Sequence, residues 1–114
     1  MTQDLAHSHV ELRAIAGRQA RTVTLATGRT LARTVVAGQR DECPSHGVYR
    51  ILSCAHTLQA GKVDPRAEPV LDATEGAVVR VDARYGFSPL AFERGLPALV
   101  AATRRHGVGA LVLR

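Results

Sequence analysis

Six consecutive residues, Ser45-His46-Gly47-Val48-Tyr49-Arg50, place a hydroxyl, an imidazole and a guanidinium within two helical turns. A guanidinium grips a carboxylate with a planar two-point fork. An imidazole titrates near neutral pH and passes a proton to or from a group held beside it. The set suits holding a small carboxylate and moving a proton next to it. On spacing alone each residue also has a plainer use. His46 could simply solvate a helix start, and Arg50 could belong to a wet helix face.

Other reactive groups are less well arranged. Cys43 precedes His46 by three residues, but Pro44 intervenes and no third member of a nucleophile set is evident. Cys43 and Cys54 fit neither a CxxC motif nor a zinc framework. His7 and His9 have metal-ligand spacing but lie in a polar start, so they read as surface residues and no metal is expected. Gly86 and Gly107 are isolated turn glycines, not a phosphate-binding fingerprint.

Several elements must position these groups. Ser8 and Glu11 form a capping box for a helix over 9–20, with Val10, Leu12, Ala14 and Ile15 as its apolar members. Thr24 caps a second helix over 25–40, whose stripe is Leu25, Gly28, Leu31, Ala32 and Val35. Ser45 is a natural N-cap for a third over 46–60, and Gly61 ends it. In that helix Val48, Ile51, Leu52, Ala55 and Leu58 form the buried stripe. His46, Arg50, Ser53 and Thr57 fall on the opposite face, where the two cations at i,i+4 repel unless an anion sits between them. Short strands follow at 70–73 and 77–82, joined at Glu75-Gly76, then a turn at 84–88. A helix over 89–106 faces inward through Phe92, Leu96, Leu99 and Val100, and Pro97 is expected to kink it or split it at Gly95. Gly107 ends that helix. An apolar strand over 108–113 closes the sequence, with Leu111, Val112 and Leu113 lacking partners.

At 114 residues and 46% apolar content, the chain can fold around one modest core. Aromatics are only 4%, so Leu, Val and Ala must fill it. The net charge is +5, and every basic residue but Lys62 is arginine. That admits an alternative, a small basic helical nucleic-acid-binding module. The arginines are spread from Arg13 to Arg114 without interleaved aromatics, which argues against specific nucleic-acid binding. No apolar run approaches a membrane span, and no membrane partner is expected. Two lone thiols without a signal peptide suggest a cytoplasmic location.

The 41–113 stretch resembles the N-terminal part of the malate/L-lactate dehydrogenase family of the second type, which lacks the Rossmann fold. The likeness rests on the 45–50 motif, Ala60-Gly61-Lys62-Val63 with Pro65, the strand ending in Asp82, Tyr85-Gly86-Phe87, and His106-Gly107-Val108. The run Arg40-Asp41-Glu42-Cys43-Pro44-Ser45-His46 is most similar to the subgroup that reduces Δ1-piperideine-2-carboxylate and Δ1-pyrroline-2-carboxylate. The Arg21-Thr22 pair stands where family members often carry Ala-Gly. The resemblance implies an enzyme that uses NADPH or NADH on small 2-oxo or cyclic 2-imino acids, homodimeric when intact. It implies His46 as general acid in reduction, Arg50 as the ligand of the substrate carboxylate, and Ser45 as a lining residue of the same pocket. It also implies an N-terminal fragment, probing no cofactor site of its own and inactive alone. The expected class is α+β: three N-terminal helices over 1–62, then short strands, a broken helix and a terminal strand over 63–114. That second segment would begin a truncated nucleotide-binding region of a larger oxidoreductase fold.

Overall fold

The computed structural model describes residues 23–114. The helix over 9–20, its Ser8/Glu11 capping box and the His7/His9 pair lie outside the described residues. The chain forms two compact units, one ending at Arg66 and the other spanning Ala67–Arg114.

In the first unit, α1 runs Leu25–Arg40. Thr24 caps it as its sequence position suggests: its Oγ1 accepts the Thr27 N–H at 3.2 Å. The buried face is Thr27, Thr30, Leu31 and Val35. Leu31 and Val35 are in the expected stripe, but Leu25 is exposed and the threonines take its place. Their hydroxyls allow this because each is served locally. Thr27 Oγ1 lies 3.0 Å from Thr24 Oγ1, and Thr30 Oγ1 accepts from Arg33 at 3.4 Å.

A three-residue 3-10 turn, Pro44–His46, follows, and α2 then runs Arg50–Gln59 with Tyr49 as its cap. The helix therefore starts later than the sequence suggests, and Ser45 is not its N-cap. Its buried residues are Cys54, Ala55 and Leu58, while Val48 and Leu52 are exposed. The later start leaves Val48 outside the helix, while Ala55 and Leu58 of the expected stripe stay buried and Cys54 joins them. Gly61 does end α2, at φ 67°. The Gly61 N–H donates to Leu58 O at 3.1 Å and the Lys62 N–H to Thr57 O at 3.2 Å, which is the Schellman pattern.

The second unit is a three-stranded mixed sheet under one helix. β1 (Val70–Glu75) and β2 (Val78–Asp82) are antiparallel, joined by Gly76-Ala77, where Gly76 adopts the positive φ that such a tight hairpin requires. α3 (Ser88–His106) then crosses to β3 (Ala110–Leu113), which lies parallel to β2. Between β2 and α3, Arg84 and Tyr85 both have positive φ, a strained conformation for residues with side chains. The Arg84 N–H donates to Asp82 Oδ1 at 2.8 Å and the Gly86 N–H to Ala83 O at 2.8 Å, which pins the turn. This is α+β architecture, as the sequence implies.

α3 departs from expectation in two ways. It is one uninterrupted helix through Pro97, not two pieces meeting at Gly95. Pro97 is exposed, so the backbone donor it lacks is lost on the solvent side. Its buried residues are Leu90, Ala91, Gly95 and Ala102, whereas Phe92, Leu96 and Val100 are exposed. The reason is distance. The core of Val79, Val81, Ala83, Ala91 and Ala102, with Ala98 and Leu111 against it, brings helix and sheet close together. A Cβ on Gly95 would lie 2.7 Å from Leu111 Cδ1 and 2.8 Å from Val81 Cγ2. Only small side chains fit that seam, so the large ones turn away. Gly95→Val is accordingly expected to destabilise the fold by about 1–3 kcal/mol through overpacking. Urea unfolding followed by circular dichroism reads the loss, and an unchanged midpoint would show that the seam is loose.

Candidate functional site

The 45–50 motif is held by the last turn of α1. Gly38 and Gly47 are the contacts that allow it. A Cβ on Gly38 would stand 2.5 Å from His46 O and 2.7 Å from its carbonyl carbon. A Cβ on Gly47 would collide with Gln39 Oε1 and stand 3.2 Å from Gln39 Cα. Gln39 Oε1 in turn accepts the Val48 N–H at 3.2 Å. The Cys43 N–H donates to Gly38 O at 2.8 Å, so the chain folds back onto α1 before the motif begins. Gly47 is buried while its neighbours on either side are exposed. Sequence reasoning missed Gly38 and Gln39. One signal was available: a glycine inside a helix costs roughly 1 kcal/mol relative to alanine, so it calls for a packing reason.

Ser45 and His46 are brought together. Ser45 Oγ lies 2.9 Å from His46 Nδ1, with the donor set by the imidazole tautomer. Both side chains are exposed. Nε2 has no hydrogen-bond partner among the described residues. When the serine hydroxyl donates to Nδ1, a neutral ring carries its proton on Nε2.

Arg50 is the first residue of α2, and it is exposed and makes no ion pair among the described residues. His46 lies outside that helix, so the i,i+4 helical relation expected between them does not exist. A different strain replaces it. A cation in the first turn of a helix opposes the macrodipole, and no acidic residue there offsets it. The backbone donors of that turn are already engaged: the N–H groups of Arg50, Ile51 and Leu52 donate to Gly47, Val48 and Tyr49 carbonyls at 2.9, 3.1 and 3.3 Å. An anion here must be gripped by the guanidinium itself. Val48 and Tyr49 stay exposed beside it, 58% and 72%, as an apolar surface between His46 and Arg50 in sequence.

Cys43 is exposed and Cys54 buried. Burial pushes the Cys54 thiol up, with the Arg50 charge pulling the other way, so it stays a protonated core thiol at neutral pH. Among the described residues no group of three or more His, Cys, Asp or Glu is placed to hold a metal. No described helix is long and apolar enough to cross a membrane. α2 carries Arg50 as its only arginine, against the clustered basic face that a nucleic-acid-reading helix needs.

The second unit has an open cleft of about 470 Å³ at the carboxyl ends of β2 and β3. Asp82, Tyr85, Gly86, Ser88, Leu113 and Arg114 line it. Arg114 bonds Asp82 at 2.8 Å and, with the Arg84 N–H, holds that carboxyl below its ordinary value. As a nucleotide cradle the turn fits poorly. Gly86 is its only glycine, and a Cβ there would lie 2.7 Å from Ala67 Cβ and 2.9 Å from Ala83 O, so its open side is already filled.

The sequence profile of the family described as malate/L-lactate dehydrogenase matches residues 9–114. Delta(1)-pyrroline-2-carboxylate reductase 2 of Burkholderia multivorans is 52% identical over 88 residues, covering 77% of this chain and 26% of that protein. The Delta(1)-pyrroline-2-carboxylate/Delta(1)-piperideine-2-carboxylate reductase of Pseudomonas aeruginosa is 48% identical over 85 residues, covering 75% and 25%. The crystal structure of delta1-piperideine-2-carboxylate reductase from Pseudomonas syringae superposes with a TM-score of 0.80 at 30% identity, covering 98% of this chain and 32% of that one. The chain thus spans about a quarter of the length of the curated relatives it matches.

Proposed function

Because the chain belongs to the malate/L-lactate dehydrogenase family, we propose that it is the substrate-gripping part of an oxidoreductase that reduces small cyclic 2-imino acids. The wider class is 2-oxo and 2-imino acids, with NADPH or NADH as reductant and a homodimer as the working form. The observation that carries this reading is the Ser45–His46 hydrogen bond, four residues before an exposed guanidinium that makes no ion pair among the described residues.

Each residue has a separate task. Arg50 takes the substrate carboxylate with its two-point fork, which also relieves the cation at the start of α2. Ser45 holds Nδ1 and so fixes the ring, a positioning role in addition to lining the pocket. His46, as an imidazolium whose Nδ1–H donates to Ser45 Oγ, then delivers the Nε2 proton to the substrate nitrogen or oxygen during reduction, becomes the neutral ring, and recovers the proton in the reverse direction. Val48 and Tyr49 supply apolar surface for the carbon ring of an imino acid. Hydride transfer is nicotinamide chemistry. The residues for that group belong to the part of the fold this chain does not span, and the Ala67–Arg114 unit would begin that region. The 114 residues alone are accordingly proposed to be inactive.

The test is a chimera in which this chain replaces the corresponding segment of the Pseudomonas syringae reductase. NADPH or NADH oxidation with Δ1-piperideine-2-carboxylate or Δ1-pyrroline-2-carboxylate is expected. A folded chimera that turns over none of a panel of cyclic imino and 2-oxo acids rejects the assignment.

A further inference from the structure

Gln39 stands in the last turn of α1, one residue before its end, and it is exposed. An exposed glutamine on a helix is free to point into water. This one is engaged at both of its carbonyl groups. Its backbone oxygen accepts the Glu42 N–H at 3.3 Å, where the chain reverses with Glu42 at φ 56°. Its side-chain oxygen accepts the Val48 N–H at 3.2 Å. A backbone N–H can only donate, so the amide oxygen and not the amide nitrogen must meet it.

The place of that bond in the chain gives it a consequence. The His46 and Gly47 N–H groups donate to Cys43 and Pro44 carbonyls at 2.9 and 3.3 Å and so belong to the 3-10 turn. The Arg50, Ile51 and Leu52 N–H groups belong to the first turn of α2. Val48 falls at the junction of the two turns, and its donor is taken by Gln39. Gly47, on the other side of the junction, is buried against the same side chain. Gly47 does not use the positive φ that usually calls for glycine. Its φ is −85°, and the room a side chain would take is filled by Gln39 Oε1. One side chain thus holds both residues of the junction, with His46 immediately before it and Arg50 shortly after.

We propose that Gln39 is a positioning residue that sets the spacing between His46 and Arg50. The carboxylate held by Arg50 then brings the C=N of a cyclic imino acid onto the line of the imidazole. This rests on the roles proposed above for those two residues. Rate and stability respond to such a bond on different scales. One exposed hydrogen bond adds little to stability, whereas a misplacement of about 1 Å costs roughly 10²-fold in rate.

The test is a double-mutant cycle in the Pseudomonas syringae chimera, read as kcat/KM for Δ1-pyrroline-2-carboxylate beside the Tm. Gln39→Met keeps length and helix propensity and removes the acceptor. It is expected to lower kcat/KM by about tenfold or more while Tm falls by no more than a few degrees. Gln39→Glu restores an acceptor oxygen of the same reach and is expected to recover kcat/KM to within about threefold of the parent. In an Arg50→Ala background Gln39→Met is expected to cost less than about threefold, because a spacing matters only when both ends grip the substrate. Additive effects of Gln39→Met and Arg50→Ala overturn the proposal, since they make Gln39 a structural residue. A Gln39→Met chimera that loses its fold, or keeps the parental kcat/KM, overturns it too. So does a Gln39→Glu chimera as impaired as Gln39→Met. An Arg50→Ala chimera that turns over like the parent has a different meaning: it rejects the substrate-gripping role itself, and this proposal falls with it.

Discussion

Replacing His46 by alanine in a turnover-competent chimera is expected to lower kcat by about 10²–10⁴-fold with little change in KM, the size of loss that follows removal of a positioned general acid. The reasoning starts from exposure. His46 is exposed and sits in a 3-10 turn, where the close contact with Gly38 is made by its backbone carbonyl and not by its ring. Removing the imidazole therefore leaves the Gly38–Gly47 interlock intact. Stability should stay within about 0.5 kcal/mol of the parent. Ser45→Ala tests the positioning role separately. Without the hydroxyl at 2.9 Å, Nδ1 loses its partner and the ring its fixed orientation. A smaller fall in kcat with a displaced pH profile is expected, since the serine touches the acid and its loss leaves the acid in place. Steady-state kinetics across pH 5–9 distinguish the two. If His46→Ala turns over like the parent, the proton comes from elsewhere.

Which parts of this arrangement were legible in the sequence follows from how local their causes are. Thr24 as a cap and Gly61 as the end of α2 each depend on a few adjacent residues and are where the sequence puts them, and the hairpin turn, equally local, falls at Gly76-Ala77, one residue beyond the expected Glu75-Gly76. The start of α2 is not local. It is set by Gln39, whose side chain reaches Val48 nine residues on, and by a glycine contact between the end of α1 and the motif. Ser45 reads as an N-cap from its type and position, and only the folded turn shows its hydroxyl on the histidine instead. The α3 face failed for a different reason. Ranking residues by apolarity sends Phe92 and Leu96 inward, but the helix lies too close to the sheet for them, and size decides over hydrophobicity. The candidate site was visible as a set of residue types. Its supports were not, because glycine and glutamine carry no chemical signature of their own.

Arg50 offers a test in which function and stability should move in opposite directions. In the proposed role of carboxylate ligand it would make charge-assisted hydrogen bonds, and truncating it to alanine should then cost about 3 kcal/mol of substrate binding, roughly a 10²-fold rise in KM. Arg50→Lys keeps the charge and loses the fork, so a rise of about tenfold is expected. An ordinary surface arginine would give neither effect. The helix position sharpens the contrast. Arg50 opens α2 with no acidic neighbour in its first turn, so its cation opposes the macrodipole. Its removal should relieve that opposition and raise stability by a few tenths of a kcal/mol in the absence of substrate. Substrate should reverse the order, because only the arginine form gains binding energy from the carboxylate. The measurement is a pair of melting curves, with and without substrate, for the parent chimera and Arg50→Ala. A parent that melts at or below the variant without substrate and above it with substrate supports the assignment. A variant that is less stable in both conditions would make Arg50 a structural residue.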